Sequence, residues 1–170
     1  MPAKDQGVQP GRYMLIPRTL IFITRGARVL LLKGAPHKRL WANLYNGVGG
    51  HIEKGEDVLS AARRELTEET GLEAKLRLAG TITVDTGDEI GIGIYVFRGE
   101  TRDPQAEPIP SREGTLEWVP FERLDELPLV EDLYTILPLV LEHKMDHHHF
   151  PFSALITYDN SGRPVVTITS

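Results

Sequence analysis

The sequence predicts an α/β fold on a central mixed β-sheet, and three observations predict it. β-rich runs come in pairs around turn signals at Arg25-Gly26, Gly87-Asp88 and Asn160-Ser161-Gly162. One strongly patterned helix over 57–70 interrupts them, and a second helical stretch follows late in the chain. No internal repeat is present, so strands and helices are expected to share one layered core. At 170 residues the chain is long enough for that core to belong to one domain. Residues 12–170 are read as this domain. The polar residues 1–11, with their Pro and Gly, are read as a flexible tail.

Taken in order, "TLIFITRGARVLLLKG" reads as a β-hairpin, and "APHKRLWANLYNGVGGH" as a basic, Gly-rich structured loop beside a site. From Asp57 to Thr70, Leu59, Ala62 and Leu66 repeat at helical spacing, and Gly71 supplies a helix stop. "AKLRLAGTITVDT" and "EIGIGIYVFRGE" have the alternation and β-branched content of an antiparallel pair. After the Pro-rich loop "RDPQAEPIPSRE" come a short strand, "TLEWVPF", and an amphipathic helix, "VEDLYTILPLVLEHK", expected to kink at Pro138. "FPFSALITYDNSGRPVVTIT" closes the chain as a second hairpin.

Composition narrows the function classes. There is no cysteine, which rules out disulfides, thiolate metal sites and thiol catalysis and suits a reducing cytoplasm. The formal net charge of −5 argues against a partner such as duplex nucleic acid, which would select a basic face. The start carries no signal-like apolar run. Apolar runs fall well short of the ~20 residues that span a bilayer. A cytoplasmic protein acting on a small molecule, as monomer or homodimer, is the expectation.

The stretch "RRELTEETG" conflicts with simple electrostatics. Glu65, Glu68 and Glu69 fall within about a 100° arc of the helix, beside the apolar stripe. Like charges at such spacing cost roughly 0.2–0.5 kcal/mol per pair. They also occupy the last turn, where the helix dipole favours cations. A hard divalent cation, Mg²⁺ or Mn²⁺, would remove both penalties, since cysteine-free oxygen clusters select such ions and share them with phosphates. A solvated face with Arg64 paired to Glu68 is the competing reading.

Residues upstream decide between the two. Gly50, Glu56, Arg64-Glu65-Leu66, Glu68-Glu69, Gly71 and Leu72 fill a 23-residue pattern, Gly-x5-Glu-x7-Arg-Glu-aliphatic-x-Glu-Glu-x-Gly-aliphatic. This resembles the box of the Nudix hydrolase superfamily with no fixed position missing. The resemblance implies an α/β/α sandwich and Mg²⁺-dependent hydrolysis of a nucleoside diphosphate linked to another group. It also implies Glu65 and Glu69 as metal ligands, Glu68 as ligand or base, and Arg64 as the residue fixing a box glutamate. Glu56 would brace the loop. Gly49 and Gly50 would allow close backbone approach, with the Gly49 carbonyl as a further ligand, or simply form a tight turn. Glu113, five residues before Trp118, matches a loop glutamate that serves some members as an additional ligand or base.

"YNGVGGH" is similar to the "WNGFGGK" of the branch that removes oxidised purine nucleoside triphosphates (8-oxo-dGTP type), with Tyr45 for Trp and His51 for Lys. Asn46 falls on that branch's base-contacting Asn. The segment "LPLVEDLY" carries over the adjacent acids that read the purine edge, onto Glu131 and Asp132, with Leu129 where the branch has a stacking aromatic. Asn46 also suits a turn, and Glu131 and Asp132 a helix start. An ADP-ribose, nucleotide-sugar or other nucleoside-diphosphate derivative is the alternative substrate, and a non-catalytic nucleotide sensor the alternative class. Lys33, His37, Lys38 and Arg39 are placed to meet phosphates or to form a solvated loop. Trp41 and Trp118 serve as base-stacking or core residues, with Trp118 favoured as core. His147–His149 are read as a surface tract.

Overall fold

The computed structural model describes residues 6–7, 11–142 and 151–169. Most of the expected tail and the His147–His149 tract lie outside the described residues.

Among the described residues, eight strands form one mixed sheet. They are β1 (Met14–Arg25), β2 (Arg28–Gly34), β3 (Tyr45–Asn46), β4 (Ala74–Val84), β5 (Ile90–Thr101), β6 (Gly114–Pro120), β7 (Phe152–Tyr158) and β8 (Pro164–Thr169). Two α-helices are described, α1 (Val58–Thr70) and α2 (Leu133–Glu142), and a 3₁₀ turn covers Phe121–Glu126. The sheet order is β3-β2-β1-β5-β4-β7-β8, with β6 on the other side of β2. The three expected hairpin pairs, β1–β2, β4–β5 and β7–β8, are antiparallel. Two long-range pairs are parallel: β1–β5, from Met14↔Ile90 to Thr24↔Glu100, and β4–β7, from Gly80↔Phe152 to Val84↔Ile156.

Because successive strand residues point to opposite faces, β1 feeds two cores. Ile21 and Ile23 join Leu30, Leu76 and Phe97 beneath Ala62 and Leu66 of α1. Phe22 joins Val29, Leu31, Ile82, Val96 and Ile156 beneath Leu133, Ile136, Leu137 and Val140 of α2. The result is the three-layer α/β/α sandwich implied by the box. Each fully buried aliphatic contributes about 1.5–3 kcal/mol relative to exposure.

Local chemistry fixes both ends of α1. Asp57 caps its start, its carboxylate accepting from Leu59 N and Ser60 N at 3.0 Å each. Gly71 stops it in the left-handed region (φ 70°), its N–H reaching the Thr67 carbonyl at 2.8 Å. α2 starts later than expected, at Leu133, and Pro138 lies inside it.

One departure from a plain hairpin builds the site. β1 and β2 pair only beside their turn, at Thr24↔Val29 and Arg25↔Arg28. Beyond that they separate, and the segment 45–51 wedges between them. Asn46 pairs with Leu32, Val48 bridges Ile21, and Thr19 N donates to the Gly50 carbonyl at 2.9 Å. The Gly-rich stretch is thereby held between β1 and the acidic end of α1.

Candidate active site

The box residues meet at the C-terminal half of α1. Arg64 is the hub. Its Nε and Nη2 grip both carboxylate oxygens of Glu56 at 2.7 and 2.9 Å, and Nη2 also donates to the His51 carbonyl at 3.1 Å. Its Nη1 donates to Glu65 at 2.7 Å and to Glu68 at 3.2 Å. The Arg64 guanidinium, helped by the Glu53 N–H, holds the Glu56 carboxyl down at about 2. Glu56 thus ties the loop before α1 to the helix, as the box implied.

The three glutamates have different surroundings. Glu65 lies flat against Gly50, where a Cβ would come within 2.5–2.6 Å of its carboxylate atoms. A methyl group there would have to displace that carboxylate. Glu68 is exposed. Glu69 is half-buried, and its Oε2 accepts from the Gly49 N–H at 3.3 Å. Burial pushes the Glu69 carboxyl up to about 7, with the nearby Glu113 and Glu65 charges adding and the Gly49 N–H opposing. Glu113 sits at the end of the loop before β6 and is ion-paired with Lys38.

Among the described residues, no three acid or histidine side chains already surround one cation-sized point. Arg64 holds Glu65 and Glu68 in ion pairs. The donor chemistry nevertheless fits a hard divalent ion. Every candidate ligand is an oxygen, and Glu69 carries the uncompensated burial that a cation would relieve.

A cleft of about 430 Å³ opens from this acidic corner and crosses the sheet as far as β7 and β8. It collects Gly49, Glu69 and Glu113, and also Asn46, Glu131 and Asp132. Asn46 Oδ1 accepts from Gly47 N at 2.8 Å, a local turn bond. Asp132 sits at the start of α2, where its carbonyl accepts from Thr135 N and Ile136 N. Burial pushes its carboxyl up, against its own N–H and that of Leu133.

One expected contact lies elsewhere. Lys33 is not brought into this cleft. Leu32 faces it, so strand alternation turns Lys33 into a separate groove shared with Arg112, its Nζ 5.4 Å from the Tyr45 ring. Lys38 and Arg18 are the cations in the cleft. Leu129, at the branch's aromatic position, is 6% exposed and packs in the α2-side core. Trp118 packs on the α1-side core with Arg25 stacked 4.1 Å above it.

Trp41, read as a base-stacking or core residue, is 43% exposed on the cleft wall and holds φ 59°, an uncommon conformation for a bulky residue. Other cleft residues escaped the sequence reading. Ile92, Val84, Ile156 and Tyr158 line the far part of the cleft. The alternation of "FSALITY" carried the signal for Tyr158, but the partner strand was not legible.

Comparison with known proteins now decides the family. The family model of the NUDIX domain matches residues 14–140. The chain belongs to the NUDIX family. It is 32% identical over 144 residues to the oxidized purine nucleoside triphosphate hydrolase of Danio rerio, covering 79% of this chain and 85% of that one. The protein of the same name from Mus musculus is 31% identical over 140 residues, with the same coverage. In structure, this NUDIX protein matches a mutator MutT protein from Bacillus halodurans with a TM-score of 0.70 and 25% identity, over 91% of this chain and 97% of that one. Domain, fold and hydrolase relatives make it a Nudix pyrophosphohydrolase. Nudix hydrolases in general use a divalent metal and act on small nucleotides. Among the described residues, no helix is long and apolar enough to cross a membrane.

Proposed function

We propose that the enzyme hydrolyses purine (d)NTPs, oxidised ones included, to the monophosphate and pyrophosphate in a Mg²⁺-dependent reaction, with Mn²⁺ able to substitute. One observation carries this reading: a single cleft is lined by the box glutamate Glu69 with Gly49 and Glu113, and also by Asn46, Glu131 and Asp132. The likeness to oxidized purine nucleoside triphosphate hydrolases supports it.

Glu65, Glu69, Glu113 and the Gly49 carbonyl would hold the ion, with Glu68 as a further ligand or as the base. The ion, when bound, neutralises charge on the non-bridging phosphate oxygens. Glu68 or Glu113 takes the proton of the attacking water as the new P–O bond forms, and pyrophosphate leaves as the old one breaks. Arg64 keeps Glu65 in position through its hold on Glu56, and Lys38 and Arg18 meet the phosphates. Asn46 offers one donor and one acceptor to the base. Glu131 and Asp132 present acceptors to its edge, burial raising the Asp132 carboxyl, and a protonated member of the pair would also donate. That pairing reads an altered purine tautomer. The enzyme is placed in the cytoplasm, with residues 12–170 as one catalytic domain.

The test is a panel of ordinary and oxidised (d)NTPs, ADP-ribose and nucleotide sugars with Mg²⁺ or Mn²⁺, scored by product identity. The proposal expects monophosphate plus pyrophosphate, with purine triphosphates leading. Preference for ADP-ribose or a nucleotide sugar would replace the substrate, and binding without turnover would point to a sensor.

A further inference from the structure

The closing hairpin β7–β8 lies beyond the residues matched to the NUDIX domain, 14–140, yet it lines the cleft. Cross-strand register explains how. Ile92 pairs with Val84, and Val84 with Ile156, so the three side chains share one face and run as an apolar row from β5 across β4 to β7. One step further, Tyr158 pairs with Pro164, and both line the far end of the cleft. Phosphates gain nothing from such a floor. A flat heteroaromatic group does, and pockets of roughly 300–1,000 Å³ with an apolar lining and a few polar anchors are typical small-molecule sites.

The turn of the hairpin is also braced by hydrogen bonds. In its turn, the Asp159 carboxylate accepts from Ser161 N at 2.8 Å, Ser161 Oγ at 2.7 Å and Arg163 N at 3.0 Å. Tyr158 remains 52% exposed at the edge of this braced turn. Leu129 is buried in the core, and among the described residues the cleft has no aromatic from the α2 side.

We propose that Tyr158 of the C-terminal hairpin is the stacking wall for the nucleobase, above the Ile92–Val84–Ile156 floor, and so a specificity-determining residue. This rests on the nucleotide reading of the cleft. It assigns the hairpin to substrate selection, with Glu131 and Asp132 meeting the edge of the base whose face Tyr158 covers.

Binding is read in Mg²⁺ buffer on the full chain through the fluorescence of cleft-lining Trp41, the other tryptophan being packed against the α1-side core. The probes are a purine nucleoside monophosphate and ribose 5-phosphate, which lacks the base. Tyr158→Ala is expected to weaken the nucleotide about tenfold, the typical loss for one stacked base. Tyr158→Phe is expected to keep wild-type affinity. Ribose 5-phosphate should bind all three proteins alike, which also reports an intact fold. Equal nucleotide affinity in wild type and Tyr158→Ala would overturn the hairpin's role while leaving the nucleotide reading standing. Equal weakening of both probes would overturn it too, as the mark of a merely structural residue. A wild-type protein that binds no nucleotide would overturn the nucleotide reading and this proposal together.

Discussion

Arg64 Nε and Nη2 lie 2.7 and 2.9 Å from the two carboxylate oxygens of Glu56, a fork-to-fork pair across eight residues of sequence. The same guanidinium reaches Glu65 and Glu68, so one cation sets the geometry of three acids. Lysine offers a point charge and cannot reproduce the fork. Arg64→Lys is expected to lower kcat/KM about 10–100-fold, as for residues that orient metal ligands. Because the pair is part-exposed, thermal stability should change little. Steady-state kinetics beside a melting curve check both halves.

The same pair predicts an acid-side effect. The Glu56 carboxyl, held near 2 when folded against an ordinary 4.5, stabilises the fold fully above pH 4.5 and loses that contribution as pH falls from 4.5 toward 2. Thermal unfolding across this range should therefore fall more steeply for wild type than for Glu56→Gln.

Glu69 predicts the opposite sign. Its folded value is raised to about 7, so in protein stripped with EDTA the folded state holds a proton that the unfolded chain has released above pH 4.5. Metal-free stability should decline as pH rises from 4.5 through 7. Glu69→Gln should flatten that decline and melt higher than wild type at pH 8. Added Mg²⁺ should raise the melting temperature of wild type at pH 8 more than that of the variant.

Gly50→Ala tests the cradle. The added methyl would meet the Glu65 carboxylate at 2.5–2.6 Å and must displace it. Turnover should drop by about a hundredfold or more, the scale of losing one well-placed electrostatic group. Circular dichroism should stay native, because the shift falls on a side chain at the surface of α1.

Local chemistry was legible in the sequence wherever neighbours in the chain decide it. Asp57 and Gly71 mark the ends of α1, the Leu59–Ala62–Leu66 stripe marks its buried face, and Gly26 and Gly162 mark hairpin turns. The box could be read because its residues share one helix and one loop. Pairings between distant segments were not. Nothing local shows that β1 runs parallel to β5, or that 45–51 enters the gap between β1 and β2. Those contacts decide that Leu32 faces the cleft and Lys33 does not, and that Tyr158 reaches a site built from residues about a hundred positions earlier. The acidic run itself conveyed charge but not which glutamates Arg64 holds. Glu69 is set apart by the Gly49 N–H and the shelter of the wedge, both long-range features.

The central claim is that three glutamates crowd the C-terminal end of a helix because a divalent cation is their partner in pyrophosphate hydrolysis. The most direct measurement is Mg²⁺-dependent pyrophosphate release from a purine (d)NTP by wild type, Glu68→Gln and Glu69→Gln. The account predicts release that requires Mg²⁺ in wild type and falls by about a hundredfold or more in both variants, each still folded. Near-wild-type release by both variants, or wild-type release that persists in EDTA, would contradict it.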